Sequence, residues 1–74
     1  MSLSGAAAAG MLIWQEKKVI EKLKNAKAFS VETAVEPEQA DVKSRAEFSA
    51  LRRLVRRGKV HETGYERYFV DPWL

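Results

Sequence analysis

A chain of 74 residues has room for one domain with a small core, and its net charge of +3 is modest as a total. It contains no cysteine, which excludes a disulfide framework and a thiolate metal site, and it holds a single histidine. Phosphate-binding and dinucleotide-binding glycine patterns are missing, and no His/Cys cluster has metal-ligand spacing. Composition therefore points away from enzymes and implies no cofactor; a cysteine-free, lysine-rich chain fits a reducing cytoplasm.

Residues 1–10 are rich in Ser, Gly and Ala and carry little information. They read as a disordered or tag-like leader, or as the stump of a longer protein, with the domain itself at residues 11–74. The apolar run from Ala6 through Trp14 is interrupted by Gly10, and it falls short of the roughly 20 residues a membrane span needs. It also lacks the charged start of a signal peptide, so no membrane contact is predicted.

From about Met11 to Lys24, Ile13, Ile20 and Leu23, with Val19 and Leu12 alongside, recur at helical spacing, while Lys17, Lys18, Lys22 and Lys24 mostly take other faces. The pattern predicts an amphipathic helix laid on a core. The next stretch reads two ways. Phe29, Val31, Thr33 and Val35 alternate as a short strand does, yet Ser30 before Glu32, Thr33 and Ala34 equally suits the cap of one helical turn. Pro37 favours a helix start, and a short helix is expected at Pro37–Asp41. Glu36, Glu38 and Asp41 there read as caps and solvated charge rather than as an acid–base pair.

Ser44-Arg45-Ala46-Glu47 is a capping box, and Phe48, Leu51, Leu54 and Val55 form an apolar stripe behind it. Gly58 supplies the stop, which predicts a helix over Arg45–Arg57. Lys59–Glu62 and Tyr65–Val70 then read as the strands of a hairpin, with Gly64 able to take the positive φ of a tight turn. Charge is segregated along the chain. Glu32, Glu36, Glu38 and Asp41 form an acidic block without a base. In the stretch that follows, Lys43, Arg45, Arg52, Arg53, Arg56, Arg57 and Lys59 stand against Glu47 alone.

The segment Leu51-Arg52-Arg53-Leu54-Val55-Arg56-Arg57-Gly58-Lys59-Val60, followed by the hairpin through Tyr65–Val70, resembles the winged helix-turn-helix family. That family's recognition helix ends in Leu-x-x-Leu-Val-x-x-Gly-x-Val and turns directly into the wing. The resemblance covers roughly residues 11–70. It implies an α+β, mainly α fold of three helices and a C-terminal β-hairpin wing, of a small prokaryotic type. It also implies double-stranded DNA binding in transcriptional regulation. The turn near Asp41–Lys43 departs from the family in lacking the glycine often found there.

With Phe48, Leu51, Leu54 and Val55 turned inward, Arg45, Ser49, Arg52 and Arg56 share the opposite line of the helix. Arginine bonds bidentately to guanine edges in the major groove, which a helix fits. Lys43, Ser44, Arg45, Ser49 and Arg52 form the expected base-contact set, Ser44 being partly occupied by capping. Arg53, Arg56 and Arg57 are expected nearer phosphates or the helix C-terminus. In the wing, Lys59, His61 and Arg67 are candidate phosphate or minor-groove contacts, His61 reading first as an ordinary exposed strand residue. Tyr65, Tyr68, Phe69, Trp14 and Trp73 read as packing residues. The rival reading is a protein-interaction or dimerisation module of a larger protein, in which the acidic stretch or the terminal apolar segments meet a partner or a second copy.

Overall fold

The computed structural model describes the backbone of residues 3–74 and the side chains of residues 12–74. Its elements are a long helix α1 (Leu3–Asn25), a single 3-10 turn (Pro37–Ala40), a second helix α2 (Arg45–Arg56) and a two-stranded antiparallel hairpin. The hairpin consists of β1 (Val60–Glu62) and β2 (Tyr68–Val70), paired Val60 to Val70, His61 to Phe69 and Glu62 to Tyr68. This is a small, mainly helical α+β fold. The expectation of three helices is corrected to two, because the Pro37 segment completes only one turn before Asp41 enters the left-handed region. The helix predicted from Met11 begins at Leu3. The reading of residues 1–10 as a leader lies outside the described residues at its first two positions and outside the described side chains elsewhere.

α1 and α2 run antiparallel, since Lys22 meets Glu47 near the start of α2 while Glu16 meets Arg53 and Arg57 at its end. Between these contacts Val19 and Leu23 bury one stripe of α1 against Ala50, Leu51 and Leu54 of α2. Ala28, Ala40, Val42, Val60 and Val70 complete the core. No aromatic ring is among these buried residues, so the core is aliphatic. The buried stripe of α2 is Glu47, Ala50, Leu51 and Leu54, turned from the one expected: Phe48 is exposed and Val55 half-buried. The rotation follows from Glu47, whose carboxylate is drawn inward and takes Phe48 out with it. Leu12 and Ile13, read as part of the first helix's core face, are exposed.

The hairpin is fastened to the first half of the chain through β2. Val35 and Tyr68 exchange backbone hydrogen bonds at 3.0 and 2.8 Å, and the Val70 amide donates to the Ala28 carbonyl at 2.9 Å. The alternation over Phe29–Val35 thus yields one strand-like residue, Val35. The segment before it is a hydroxyl-braced turn, in which Thr33 Oγ1 accepts from the amides of Phe29 and Ser30, both at 3.0 Å. Val31 lies exposed on that turn.

The three helical segments close alike. Ala28, Val42 and Lys59 each send an amide back to the carbonyl five residues earlier, and the residue before each is left-handed: Lys27, Asp41 and Gly58. Gly58 adopts φ +77° at no steric cost, as its position predicted. Asp41 at φ +64° fills the place of the glycine missing from that turn, a conformation aspartate tolerates better than most residues. Lys27 at φ +61° carries a Cβ penalty with nothing to offset it. In the hairpin the left-handed residue is Glu66 rather than Gly64, because the loop runs from Thr63 to Arg67, joined by an amide-to-carbonyl bond of 2.8 Å, and is no two-residue turn.

Glu47 is the one buried charged residue among those described, with 5 % of its surface exposed. Its amide donates to Ser44 Oγ at 3.1 Å, and its Oε1 accepts from the amides of Ser44 and Lys43, both at 3.2 Å. The capping box predicted at Ser44–Glu47 is present. Oε2 accepts from Lys22 Nζ, which also donates to the Asp41 carbonyl at 2.7 Å. Burial alone raises the pKa of this carboxyl, but the Lys22 ammonium and the two amides outweigh it and hold the value down to about 2, against 4.5 ordinarily.

Since the folded state keeps this carboxylate ionised while the unfolded chain protonates near its ordinary value, the stabilisation is complete above about pH 4.5 and is lost as the pH falls through about 2. It amounts to something on the order of 3 kcal/mol. Glu47→Gln is expected to lower stability by about 2–4 kcal/mol at neutral pH, with the gap to the parent protein closing as the pH falls. Urea unfolding at a series of pH values measures both effects. Lys27→Gly is expected to raise stability by about 0.5–1 kcal/mol in the same assay, by relieving a left-handed lysine.

Candidate nucleic-acid interface

α2 distributes its basic residues over two faces. Four residues opposite the buried stripe, Arg45, Ser49, Arg52 and Arg56, are all exposed and form one line along the outer surface. None of these three arginines forms an ion pair with the described residues. The side chains are held outward by the packing behind them: with Ala50, Leu51 and Leu54 in the core, the helix period leaves positions 45, 49, 52 and 56 facing solvent.

Arg53 and Arg57 lie on the side turned toward α1 and are bound there. Arg53 Nε donates to Glu16 Oε2 at 2.9 Å, and an Arg57 guanidinium nitrogen donates to Glu16 Oε1. Burial pushes the Glu16 carboxyl up, but its two guanidinium partners prevail and hold it below the usual carboxylate range. Arg53, expected near phosphates or the helix C-terminus, has a side chain 29 % exposed and engaged at the α1–α2 junction. The sequence holds a signal for this, since Arg53 and Arg57 are one turn apart and offset from the Arg45 line. The partner is a glutamate 37 residues away from Arg53, which local spacing cannot reveal.

The remaining candidates take mixed positions. Ser44 is committed to the cap, its hydroxyl accepting from the Glu47 amide. Lys43 is exposed and reaches Asp41 Oδ1 at 3.4 Å. Lys59, just past Gly58, and Arg67, in the hairpin loop, are both exposed. His61 is half-buried rather than open on its strand: Nε2 lies 3.2 Å from Asp71 Oδ2, and the ring sits 4.9 Å from that of Phe69. Tyr68 donates its hydroxyl to Glu62 across the strand pair at 3.3 Å. Burial, then the charge of Glu62, raises the pKa of this phenol and keeps it a donor.

Beside Arg52 the surface changes character. A cleft between the 3-10 turn, the first half of α2 and the hairpin loop is walled by Pro37, Phe48, Tyr65 and Tyr68, and Glu36, Glu38 and Glu66 stand around it. Among the described residues, no group of three or more His, Cys, Asp or Glu side chains is arranged to hold a metal ion. No helix there is long and apolar enough to cross a membrane.

Glu16→Gln removes the charge that gathers Arg53 and Arg57. Because both arginines keep contact with solvent, the expected loss of stability is only about 1–2 kcal/mol, read from urea unfolding at neutral pH. Comparison with protein-family models, with curated proteins and with solved structures found no match to this chain.

Proposed function

We propose that the chain is a nucleic-acid-binding domain of the winged-helix type, with its second helix reduced to a 3-10 turn, and that it binds double-stranded DNA through α2. The observation that carries this reading is the line Arg45, Ser49, Arg52 and Arg56: three guanidinium groups, in no ion pair with the described residues, on the solvent face of a capped helix. Such a helix suits the major groove, where arginine reads guanine and serine meets bases or phosphates. The hairpin follows α2 directly, and Val35 lies against β2 as the edge strand of a wing does. Lys43 at the front of α2, Lys59 at its exit and Arg67 in the loop extend the basic surface toward phosphates. Regulation of transcription in the cytoplasm of a cell is the role that fits such a domain.

Arg53 and Arg57 have no direct part in this reading, since Glu16 holds both at the α1–α2 junction and offsets one of their two charges. A single copy thus offers few phosphate contacts, and its binding is weak and falls steeply with salt.

The test is fluorescence-anisotropy titration of labelled duplex DNA at two salt concentrations. The double variant Arg45→Ala/Arg52→Ala is expected to weaken binding about 10- to 100-fold while its unfolding curve stays that of the parent protein. If these positions meet phosphates, the slope of log K against log salt falls by about 0.9 for each arginine removed. Arg53→Ala should behave oppositely, losing stability with little change in affinity. Equal affinity of the double variant and the parent protein would sink the assignment of this face.

A further inference from the structure

The cleft beside Arg52 is unlike the rest of α2's surface. Phe48 and Tyr65 show it their rings, with Tyr65 85 % exposed, and neither ring has a place in the core. Glu36, Glu38 and Glu66 border it against the single cation Arg52, so the recess has aromatic walls and an excess of negative charge. Tyr68 donates its hydroxyl to Glu62, which brings a further carboxylate to the same side. An aromatic-walled, acidic recess fits a partner surface that carries an aromatic or aliphatic group among cations.

The chain carries such a surface itself. Trp14, Lys17 and Lys18 lie on the side of α1 opposite its buried stripe of Val19 and Leu23, and all three are exposed. Trp14 is 57 % exposed, and Lys18 Nζ sits 4.8 Å from the centre of its ring, so cation and indole are already presented together. Glu16 meets Arg57, the residue that caps the end of α2, and α1 continues from there back to Leu3, roughly 20 Å of helix at 1.5 Å per residue. The molecule is accordingly elongated, 48 × 23 × 21 Å.

We infer that this chain pairs with a second copy of itself, the Trp14–Lys17–Lys18 face of α1 from one copy seating in the acidic aromatic cleft of the other. The pair is closed when the two copies make this contact in both directions at once, about a two-fold axis. Lysines 17 and 18 meet Glu38 and Glu66, and the Trp14 indole covers Phe48 and Tyr65. The pairing rests on charge and shape in the free protein, not on whether α2 meets DNA, and it is tested without nucleic acid.

The experiment is sedimentation equilibrium of the full chain over a range of concentrations approaching millimolar, at low and high salt. Two charge reversals are made, Glu38→Lys/Glu66→Lys and Lys17→Glu/Lys18→Glu; all four side chains are exposed, and circular dichroism checks that both variants stay folded. The parent protein is expected to form a reversible dimer that weakens with salt. Each variant alone is expected to be monomeric, since both of its contacts become repulsive. An equimolar mixture of the two is expected to dimerise, because both contacts are then between opposite charges. In a Trp73→Phe background, Trp14 becomes the sole indole, and its emission is expected to shift to shorter wavelength as the concentration rises. A parent protein that stays monomeric at low salt overturns the inference, as do variants that associate like the parent, a mixture that stays monomeric, or a Trp14 emission indifferent to concentration. Capture of a basic segment from a different protein by a monomeric chain overturns it too.

Discussion

The fold turns on one buried carboxylate. Glu47 closes the first turn of α2 by accepting from the Ser44 and Lys43 amides, and with its other oxygen it holds Lys22 of α1. A charge taken out of water is costly unless its hydrogen-bonding capacity is filled, and here both oxygens are engaged. The same lysine donates to the Asp41 carbonyl, so the end of the 3-10 turn, the start of α2 and the last turn of α1 meet at a single point. An aliphatic core of mostly small side chains leaves the approach of two helices loosely specified. This polar junction, with the Glu16–arginine cluster at the other end, sets their register and sense.

That junction also decides which residues α2 shows to solvent. Rotating α2 to bury Glu47 exposes Phe48 and centres Arg45, Ser49, Arg52 and Arg56 on the outer face. The basic surface and the aromatic cleft beside it are consequences of one packing choice. They divide this part of the exterior into a basic side and an acidic, aromatic one. Arginines that look equivalent along the helix have separate employment, because Glu16 engages two of them at the α1–α2 junction.

Much of this was readable where the physics is local. Ser44, Glu47 and Gly58 mark the ends of α2 through contacts within a few residues, and the helix lies between them. The hairpin follows from its strand-like residues after Gly58, although its turn is longer than Gly64 suggested. What spacing could not reveal depends on distant partners. Lys22 and Glu47 are 25 residues apart, Glu16 and Arg57 are 41 apart, and each pairing reassigns a side chain that periodicity alone places otherwise. The middle of the chain resisted reading for another reason. The Thr33 hydroxyl captures the amides of Phe29 and Ser30, so a stretch with strand-like alternation becomes a turn that leaves only Val35 for β2. Asp41 and Lys27 take backbone conformations that composition would assign to glycine.

β2 has a consequence for how the chain comes to be made. It binds β1 on one side and, on the other, Val35 and Ala28, residues that precede it by a large part of the sequence. A ribosome delivers α1 first, with Val19 and Leu23 uncovered, and neither α2 nor this strand yet exists to shelter them. Until both emerge, the nascent first helix is a sticky amphipathic segment, open to chaperones and to premature association with other unfinished chains.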